Sequence, residues 1–425
     1  MVEPSLDLVR SPKLSASGPR WYRYYAGFDP RFVSDVCDVF EVTDQSAVLD
    51  PWMGSGTTLG VAATRGAQVT GVDLNPAMVI VAKGRLLATD TIASLEPLGL
   101  ELASGYRRVT FRGREDPLRH WFDQESSALV RGLAQQIRNA LTASTSWPID
   151  VNTASSLSSF YFVALFEAVT QAVRAYSSRN PTWIKRAISY DGVVAISRQQ
   201  LAQDFAASVK RLSVYLRSSR MISVENHDRA ELGTGDSRTL SFADNSFDAV
   251  VTSPPYLTRL DYVVGHAPEL AVLGFDGSQI RELRDSMIGT PTRKTEDAAD
   301  IALGAVATDL LDRVRNHGSY AAKSYYEPNF RQYFNGMARS LAEIDRLTKP
   351  GGSIVLVVQD SRFKEIHVDL AAALVDMGRS RGWEVGPRKD FVNVRSMAQL
   401  NKNAHPLARS TKPIESAITF RQSNT

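Results

Sequence analysis

Two short segments hold residue types from which chemistry could be built. The first is Asp50-Pro51-Trp52-Met53-Gly54-Ser55-Gly56-Thr57-Thr58, with a second carboxylate, Asp73, 23 positions after Asp50. Gly54 and Gly56 let the backbone turn sharply and approach a ligand closely. A helix following such a turn presents free N–H groups at its start. An acid at the end of the next strand is placed to accept hydrogen bonds from ribose hydroxyls. The combination suits an adenosine-containing cofactor; a plain strand-to-helix turn would need the glycines but not the acid. The Gly-x₄-Gly-Lys-Ser/Thr phosphate loop is absent and the dinucleotide glycine pattern is incomplete. The second segment is Ser253-Pro254-Pro255-Tyr256. Two prolines fix the backbone and remove two N–H donors. What remains is a rim of acceptors, the Ser253 hydroxyl and backbone carbonyls, beside an aromatic face. Such a rim fits a planar base carrying an exocyclic NH₂ group, although a proline-rich strand exit with a packing tyrosine would read similarly.

Other chemistries find less support. The six histidines, at 120, 227, 266, 317, 367 and 405, show no paired metal spacing, so no metal site is expected. Gly54-Ser55-Gly56 is not a nucleophile elbow, because Met53 and Trp52 precede it. Arg107, Arg108, Arg112 and Arg114 cluster near Tyr106 and Phe111, either as solvated surface or as a contact to a nucleic-acid backbone. Asp261 and Tyr262 follow the second segment closely and could line a base pocket or pack beneath it; Glu269 and Asp360 are weaker candidates.

The elements that must position these residues can be traced along the chain. Ala47 to Asp50 reads as a strand, Leu59 to Arg65 as a helix and Gln68 to Asp73 as a second strand, a βαβ unit that implies a parallel sheet. Phe247 to Thr252 is a continuous apolar run suited to a central buried strand. A helix from about Asn329 to Arg346 leads to a further strand at Ser353 to Val358, with weaker strands at Trp383 to Val385 and Glu415 to Phe420. Both candidate segments therefore sit at C-terminal ends of parallel strands. Residues 1–20 read as a loose arm. Residues 95–224 exceed what one crossover needs and read as a mainly helical insertion, with an apolar helix at Phe160 to Val173. The core is then 21–94 with 225–420, an α/β fold carrying helices on both faces of its sheet.

Composition agrees with a globular protein. The chain has 425 residues, 43% hydrophobic and 22% charged, which excludes wholesale disorder. Basic residues number 49 against 46 acidic, yet 95–224 holds 16 bases to 10 acids and 379–425 holds 9 to 3. Positive charge is thus concentrated in the insertion and the C-terminal end. The single cysteine, Cys37, allows no internal disulfide, which suits a reducing cytosol. No run of 18 apolar residues suggests a membrane span, and the first ten residues do not read as a signal peptide.

Taken together, the two segments resemble those of the amino-methylating DNA methyltransferases, which act on N4 of cytosine or N6 of adenine. Gly235-Asp236-Ser237 is similar to that family's third cofactor-contacting loop, Tyr24 to Pro30 to its aromatic segment, and Leu347 to Gly352 to the approach to its fifth strand. About half the chain is covered. The resemblance implies a Rossmann-like S-adenosylmethionine-dependent methyltransferase fold. It implies that Asp50, Pro51, Gly54, Ser55, Gly56, Thr57, Thr58, Asp73 and Asp236 bind S-adenosylmethionine, and that Ser253, Pro254, Pro255 and Tyr256 hold the amine. It further implies action on double-stranded DNA in the cytoplasm and a cognate restriction endonuclease as partner. The glycine segment precedes Ser-Pro-Pro-Tyr here, whereas many members with this glycine segment show the reverse order; Trp52 replaces a commoner Phe. Serine at 253 is similar to the cytosine-N4 subgroup, with adenine-N6 as the alternative. Methylation at cytosine C5 would need a nucleophilic cysteine, commonly after proline; Cys37 follows Val36 in an apolar stretch and reads as core. An RNA or protein N-methyltransferase, or a DNA-binding protein that kept the fold without catalysis, are more distant alternatives.

Overall fold

The computed structural model describes residues 6, 9–13, 20–24, 27–113, 115–144, 146–178, 180, 182–189, 192–218, 229–257, 261–290, 302–392 and 412–424. Arg114, His227 and His405 lie outside these residues, as does much of the arm at 1–20. In chain order the first half comprises α1 (Pro30–Val39), β1 (Ala47–Asp50), α2 (Thr57–Ala63), β2 (Gln68–Asp73), α3 (Pro76–Arg85), α4 (Leu95–Gly105), α5 (Gln124–Leu141), α6 (Ser156–Ala172) and α7 (Arg198–Ser218). There follow β3 (Ala230–Thr234), β4 (Phe247–Thr252), α8 (Tyr262–Gly265), α9 (Ala267–Val272), α10 (Gly277–Ser286), α11 (Gly304–Arg315) and α12 (Glu327–Leu347). The chain closes with β5 (Thr348–Gln359), a small hairpin of β6 (Ser361–Phe363) and β7 (Ile366–Val368), α13 (Leu370–Arg379), β8 (Glu384–Val392) and β9 (Ile414–Arg421).

Seven strands form one sheet in the order β3-β2-β1-β4-β5-β9-β8. The first five run parallel, and β9 lies antiparallel to both β5 and β8. This is a Rossmann-like doubly wound α/β sheet with an antiparallel edge. Residue alternation along the strands feeds two cores. Val48, Ala249, Val251, Val355 and Val357 face one core with α1, α2, α3, α6 and α7. Leu49, Val250, Ile354, Leu356 and Val358 face the other with α11, α12 and α13. Burial on both faces explains why the central strands read as unbroken apolar runs.

Four helices, α4 to α7, fill the long connection between α3 and β3. They do not stand apart from the sheet: α6 and α7 share the first core with α3. On α6, Phe160, Tyr161, Phe162, Val163, Leu165 and Phe166 are all fully buried, so this helix is enclosed all round. The chain runs outward from β1 through β2 to β3, then returns to place β4 on the other side of β1. The strand order reverses there, which opens a crevice at the C-terminal ends of β1 and β4, the place where open α/β sheets bind ligands.

Candidate functional site

A cleft of about 890 Å³, open in part to solvent, occupies that crevice. Asp50, Pro51, Trp52, Gly54, Ser55, Thr57, Thr58, Asp73, Asp236, Ser253, Pro254, Pro255 and Tyr256 all line it. Both sequence segments therefore meet at one site, although some 180 residues separate them.

The glycine loop is fixed from three sides. Asp73, the last residue of β2, accepts the Gly54 N–H at 2.9 Å and the Asn75 N–H at 2.8 Å. Asp50 accepts the Thr252 hydroxyl at 2.5 Å and the Trp52 N–H at 3.2 Å, which ties the ends of β1 and β4 together. From beneath, buried Arg85 at the end of α3 donates to the Ser55 carbonyl at 3.1 Å and the Thr57 hydroxyl at 2.6 Å. Gly54 has φ +47°, and a Cβ there would lie 2.7 Å from Cε1 of Tyr24. No L side chain fits that position without displacing the tyrosine. Gly56, with φ +71°, does not line the cleft; it caps α2 and packs against Ala82, where a Cβ would come within 2.9 Å. Burial pushes both carboxyls up to about 6, Asp50 despite the Thr252 and Thr58 hydroxyls and Asp73 despite its two backbone N–H bonds.

The second loop leaves β4 and runs along the cleft wall. The Ser253 hydroxyl donates to the Val357 carbonyl at 2.9 Å and also lies 3.4 Å from the Tyr256 hydroxyl oxygen, so its own lone pairs remain to accept. The Tyr333 hydroxyl donates to the Pro255 carbonyl at 2.6 Å. Of the acceptors expected on this loop, the Pro255 carbonyl is therefore already engaged, by Tyr333. The Tyr256 hydroxyl donates to Glu415 on β9 at 3.0 Å, which holds the ring in place. Burial and the adjacent Glu415 carboxylate hold this phenol well above its usual range, so it stays a donor.

The remaining candidates divide by their contacts. Asp236 lines the cleft, but its carboxylate is forked onto Arg238 at 2.8 and 2.6 Å, and Arg238 also reaches the Ser286 carbonyl at 2.7 Å. Tyr262 lines the cleft, whereas Asp261 caps α8 and pairs with Arg284 at 2.5 Å. Glu269 is buried against the Tyr22 hydroxyl at 2.5 Å. Asp360 bonds His367 at 2.8 Å and the Ile414 N–H at 2.7 Å. Arg107 and Arg112 are exposed, and Arg108 pairs with Glu125 on the surface. Among the described residues no three His, Cys, Asp or Glu side chains converge as metal ligands. Cys37 is fully buried in α1, and burial pushes its thiol up to about 11. An inert thiol outside the cleft carries no chemistry, so Cys37→Ser is expected to keep wild-type turnover apart from a packing loss on the order of 1 kcal/mol in stability. A folded but inactive Cys37→Ser protein in a turnover assay would contradict that.

Several residues that shape the site escaped sequence reasoning. Arg85 ends a mainly apolar helix whose last turn also carries Lys83, and nothing in the sequence separates the buried cation from its neighbour. Glu415 and Tyr333 act through contacts that depend on which strands and helices become neighbours, as does the bond of Arg238 to the Ser286 carbonyl. Met287 and Ile288 line the cleft from a segment with no motif at all.

No protein-family model matches this chain. It is 24% identical to the type II methyltransferase M.BsoBI of Geobacillus stearothermophilus over 391 residues, 81% of this chain and 74% of that one. It is 22% identical to the type II methyltransferase M.AvaI of Nostoc sp. over 406 residues, 86% of this chain and 79% of that one. A solved Thermus thermophilus structure, described as that of a DNA modification methylase with S-adenosyl-L-methionine, aligns at 18% identity and a TM-score of 0.25, over 45% of this chain and 54% of its own. Each of these two similarities extends over more than four fifths of this chain. Among the described residues, no helix is long and apolar enough to cross a membrane.

Proposed function

We propose that this cleft binds S-adenosylmethionine and transfers its methyl group to an exocyclic amine of duplex DNA, N4 of cytosine, with N6 of adenine as the second reading. The observation that carries the proposal is the meeting of the Gly54–Asp73 loop and the Ser253–Tyr256 loop in one crevice at the sheet's switch point. The cleft is lined by acceptors from both loops together with the aromatic side chains Tyr24 and Tyr262, the mix of polar and apolar groups that small-molecule sites use. Similarity to two type II methyltransferases across most of the chain supports a DNA substrate and a restriction endonuclease partner reading the same sequence. Serine at 253 supports cytosine.

When bound, S-adenosylmethionine supplies an electrophilic methyl group on a sulfonium. Asp73 accepts the ribose hydroxyls, and the Gly54 backbone lets the cofactor lie close against the loop. Asp236 reaches the adenine amino group only by sharing its carboxylate with Arg238. The target amine is a poor nucleophile because its lone pair is delocalised into the ring. Ser253 Oγ and the Pro254 carbonyl accept hydrogen bonds from its two N–H groups, which favours pyramidalisation and localises the lone pair; when the N–C bond forms and the S–C bond breaks, the sulfur keeps the bonding pair and one N–H proton is lost to solvent. Tyr256 stacks on the ring of a base flipped from the duplex, returning roughly 1–3 kcal/mol of a flipping cost of a few kcal/mol. Catalysis here is positioning and electrostatics, without a covalent intermediate. The test is release of S-adenosylhomocysteine: it should depend on added duplex DNA, and release stimulated instead by RNA or a protein would favour those rivals.

Cofactor binding should also depend on pH, with a defined sign. The Asp73 carboxyl titrates at about 6 in the free protein. Ribose hydroxyls donate, so they require its ionised form. Above pH 6 that form is already present and affinity is flat. Below pH 6 a proton must leave on binding, and affinity falls by up to about tenfold per pH unit. Calorimetry from pH 8 to pH 5 should show this loss, and Asp73→Asn should abolish the pH step. A step that persists in Asp73→Asn would assign it to Asp50 instead.

A further inference from the structure

Between α6 and α7 the chain makes a loop, residues 173–197, that no motif explains. Its backbone is tied down at several points. The Lys185 N–H donates to the Tyr176 carbonyl at 2.9 Å, the Ala187 N–H to the His120 carbonyl at 2.9 Å, and the Trp121 indole N–H to the Lys185 carbonyl at 2.7 Å. The Trp183 N–H turns back onto the Asn180 carbonyl at 3.1 Å. Yet this well-anchored loop points apolar side chains into solvent. Ile188 is 103% exposed and Trp183 43%. Neither exposure helps folding, since each leaves apolar area in water. Lys185 and Arg186 are exposed beside them. The chain from 168 to 190 holds four cations, Arg174, Arg179, Lys185 and Arg186, and no Asp or Glu.

The loop also packs against an element that lines the cleft. Buried Thr182, next to Trp183, accepts the Asp261 N–H on its hydroxyl at 3.2 Å. Its Cα lies 3.0 Å from where a Cβ on Gly265 would be, so the loop rests directly on α8. Tyr262, the first residue of α8, lines the cleft. A preformed loop with exposed aromatic and aliphatic tips, interleaved with cations and with no acid between residues 168 and 190, has the surface chemistry of a nucleic-acid contact.

We infer that the Trp183–Ile188 loop is a preformed DNA-contact element at the mouth of the base pocket. Lys185 and Arg186 meet backbone phosphates, and Trp183 and Ile188 lie against base faces exposed where the target base leaves the stack. This rests on the DNA methylation proposed above. It assigns to this loop a task that a merely solvated surface would not have.

Two variants test it in the full-length protein: Lys185→Glu with Arg186→Glu, and Trp183→Ala with Ile188→Ser. All four residues are exposed, and calorimetric S-adenosylmethionine affinity should be unchanged in both. The charge variant should weaken duplex binding about tenfold or more and reduce the slope of log affinity against log salt by about two. The apolar variant should lower the signal of a fluorescent base analogue at the target position and raise KM for duplex DNA. If the wild-type protein methylates DNA and both variants match it in KM and base-analogue signal, the inference is overturned while the parent reading stands. A wild-type dimer that the apolar variant dissolves, with DNA affinity intact, also overturns it. If the apolar variant loses cofactor binding as well, the charge variant alone decides.

Discussion

Replacing Asp73 with alanine is expected to raise the dissociation constant for S-adenosylmethionine about a hundredfold, nearly 3 kcal/mol. The size follows from how many tasks the carboxylate performs. It accepts the Gly54 N–H at 2.9 Å and the Asn75 N–H at 2.8 Å, and so fixes the turn that the cofactor must lie against. Hydrogen bonds to a charged group are worth about 1.5–3 kcal/mol each, and deleting the acceptor leaves both N–H groups to find water. The Gly54 backbone, held at φ +47°, loses a restraint it cannot replace from within the loop. The ribose hydroxyls lose their acceptor in the same step. Asp73→Asn should fall between, near a tenfold loss, because the amide keeps one acceptor and turns a donor toward the other group. Calorimetry on both variants, with circular dichroism to confirm folding, reads the result. Unchanged affinity in a folded Asp73→Ala protein would remove the cofactor assignment.

The second large effect should appear in rate and not in binding. Ser253→Ala is expected to lower kcat by about a hundredfold, with dissociation constants for DNA and S-adenosylmethionine within about threefold of wild type. The serine hydrogen is engaged by the Val357 carbonyl at 2.9 Å and the Tyr256 hydroxyl at 3.4 Å, so in the proposed pose its oxygen lone pair is what meets the amine. That contact strengthens as the amine pyramidalises and develops positive charge, and an interaction made mainly in the transition state is lost as rate. The loop should keep its course in the variant, because Tyr333 still holds the Pro255 carbonyl and Glu415 still holds Tyr256. Single-turnover kinetics separate the chemical step from binding and product release. Equal rates in variant and wild type would leave the Ser-Pro-Pro-Tyr segment as a strand exit.

Much of this site is legible in the chain because its parts lie at strand ends. The strands at Ala47–Asp50, Gln68–Asp73 and Phe247–Thr252 occupy the bounds that their apolar runs predict. Central parallel strands are buried on both faces, so their ends are marked where apolar residues give way to Asp50, Asp73 and Ser253. Outer elements are less visible. β3, with sequence AELGT, buries only Leu232 and carries almost no strand signal. The helix expected at Leu59 to Arg65 begins two residues earlier, at Thr57, because Gly56 in a left-handed conformation serves as its N-cap. The pairing of Asp236 with Arg238 is local, yet it depends on side-chain conformation that spacing does not reveal. Glu415 lies 159 residues from Tyr256, and no pattern in either segment announces their contact. It exists because β9 inserts antiparallel beside β5, a matter of sheet order that only the assembled fold decides.

Delivery of a methyl group from the cleft to an exocyclic amine of DNA is the central claim. The most direct measurement incubates the protein with duplex DNA and isotope-labelled S-adenosylmethionine, digests the DNA to nucleosides and identifies the labelled one by mass and chromatography. The predicted product is N4-methyldeoxycytidine, formed by the wild type and Cys37→Ser and sharply reduced in Ser253→Ala. Label in N6-methyldeoxyadenosine would keep the mechanism and move the substrate to the second reading. Label at C5 of cytosine, or no label in DNA under conditions where S-adenosylmethionine binds, would contradict it.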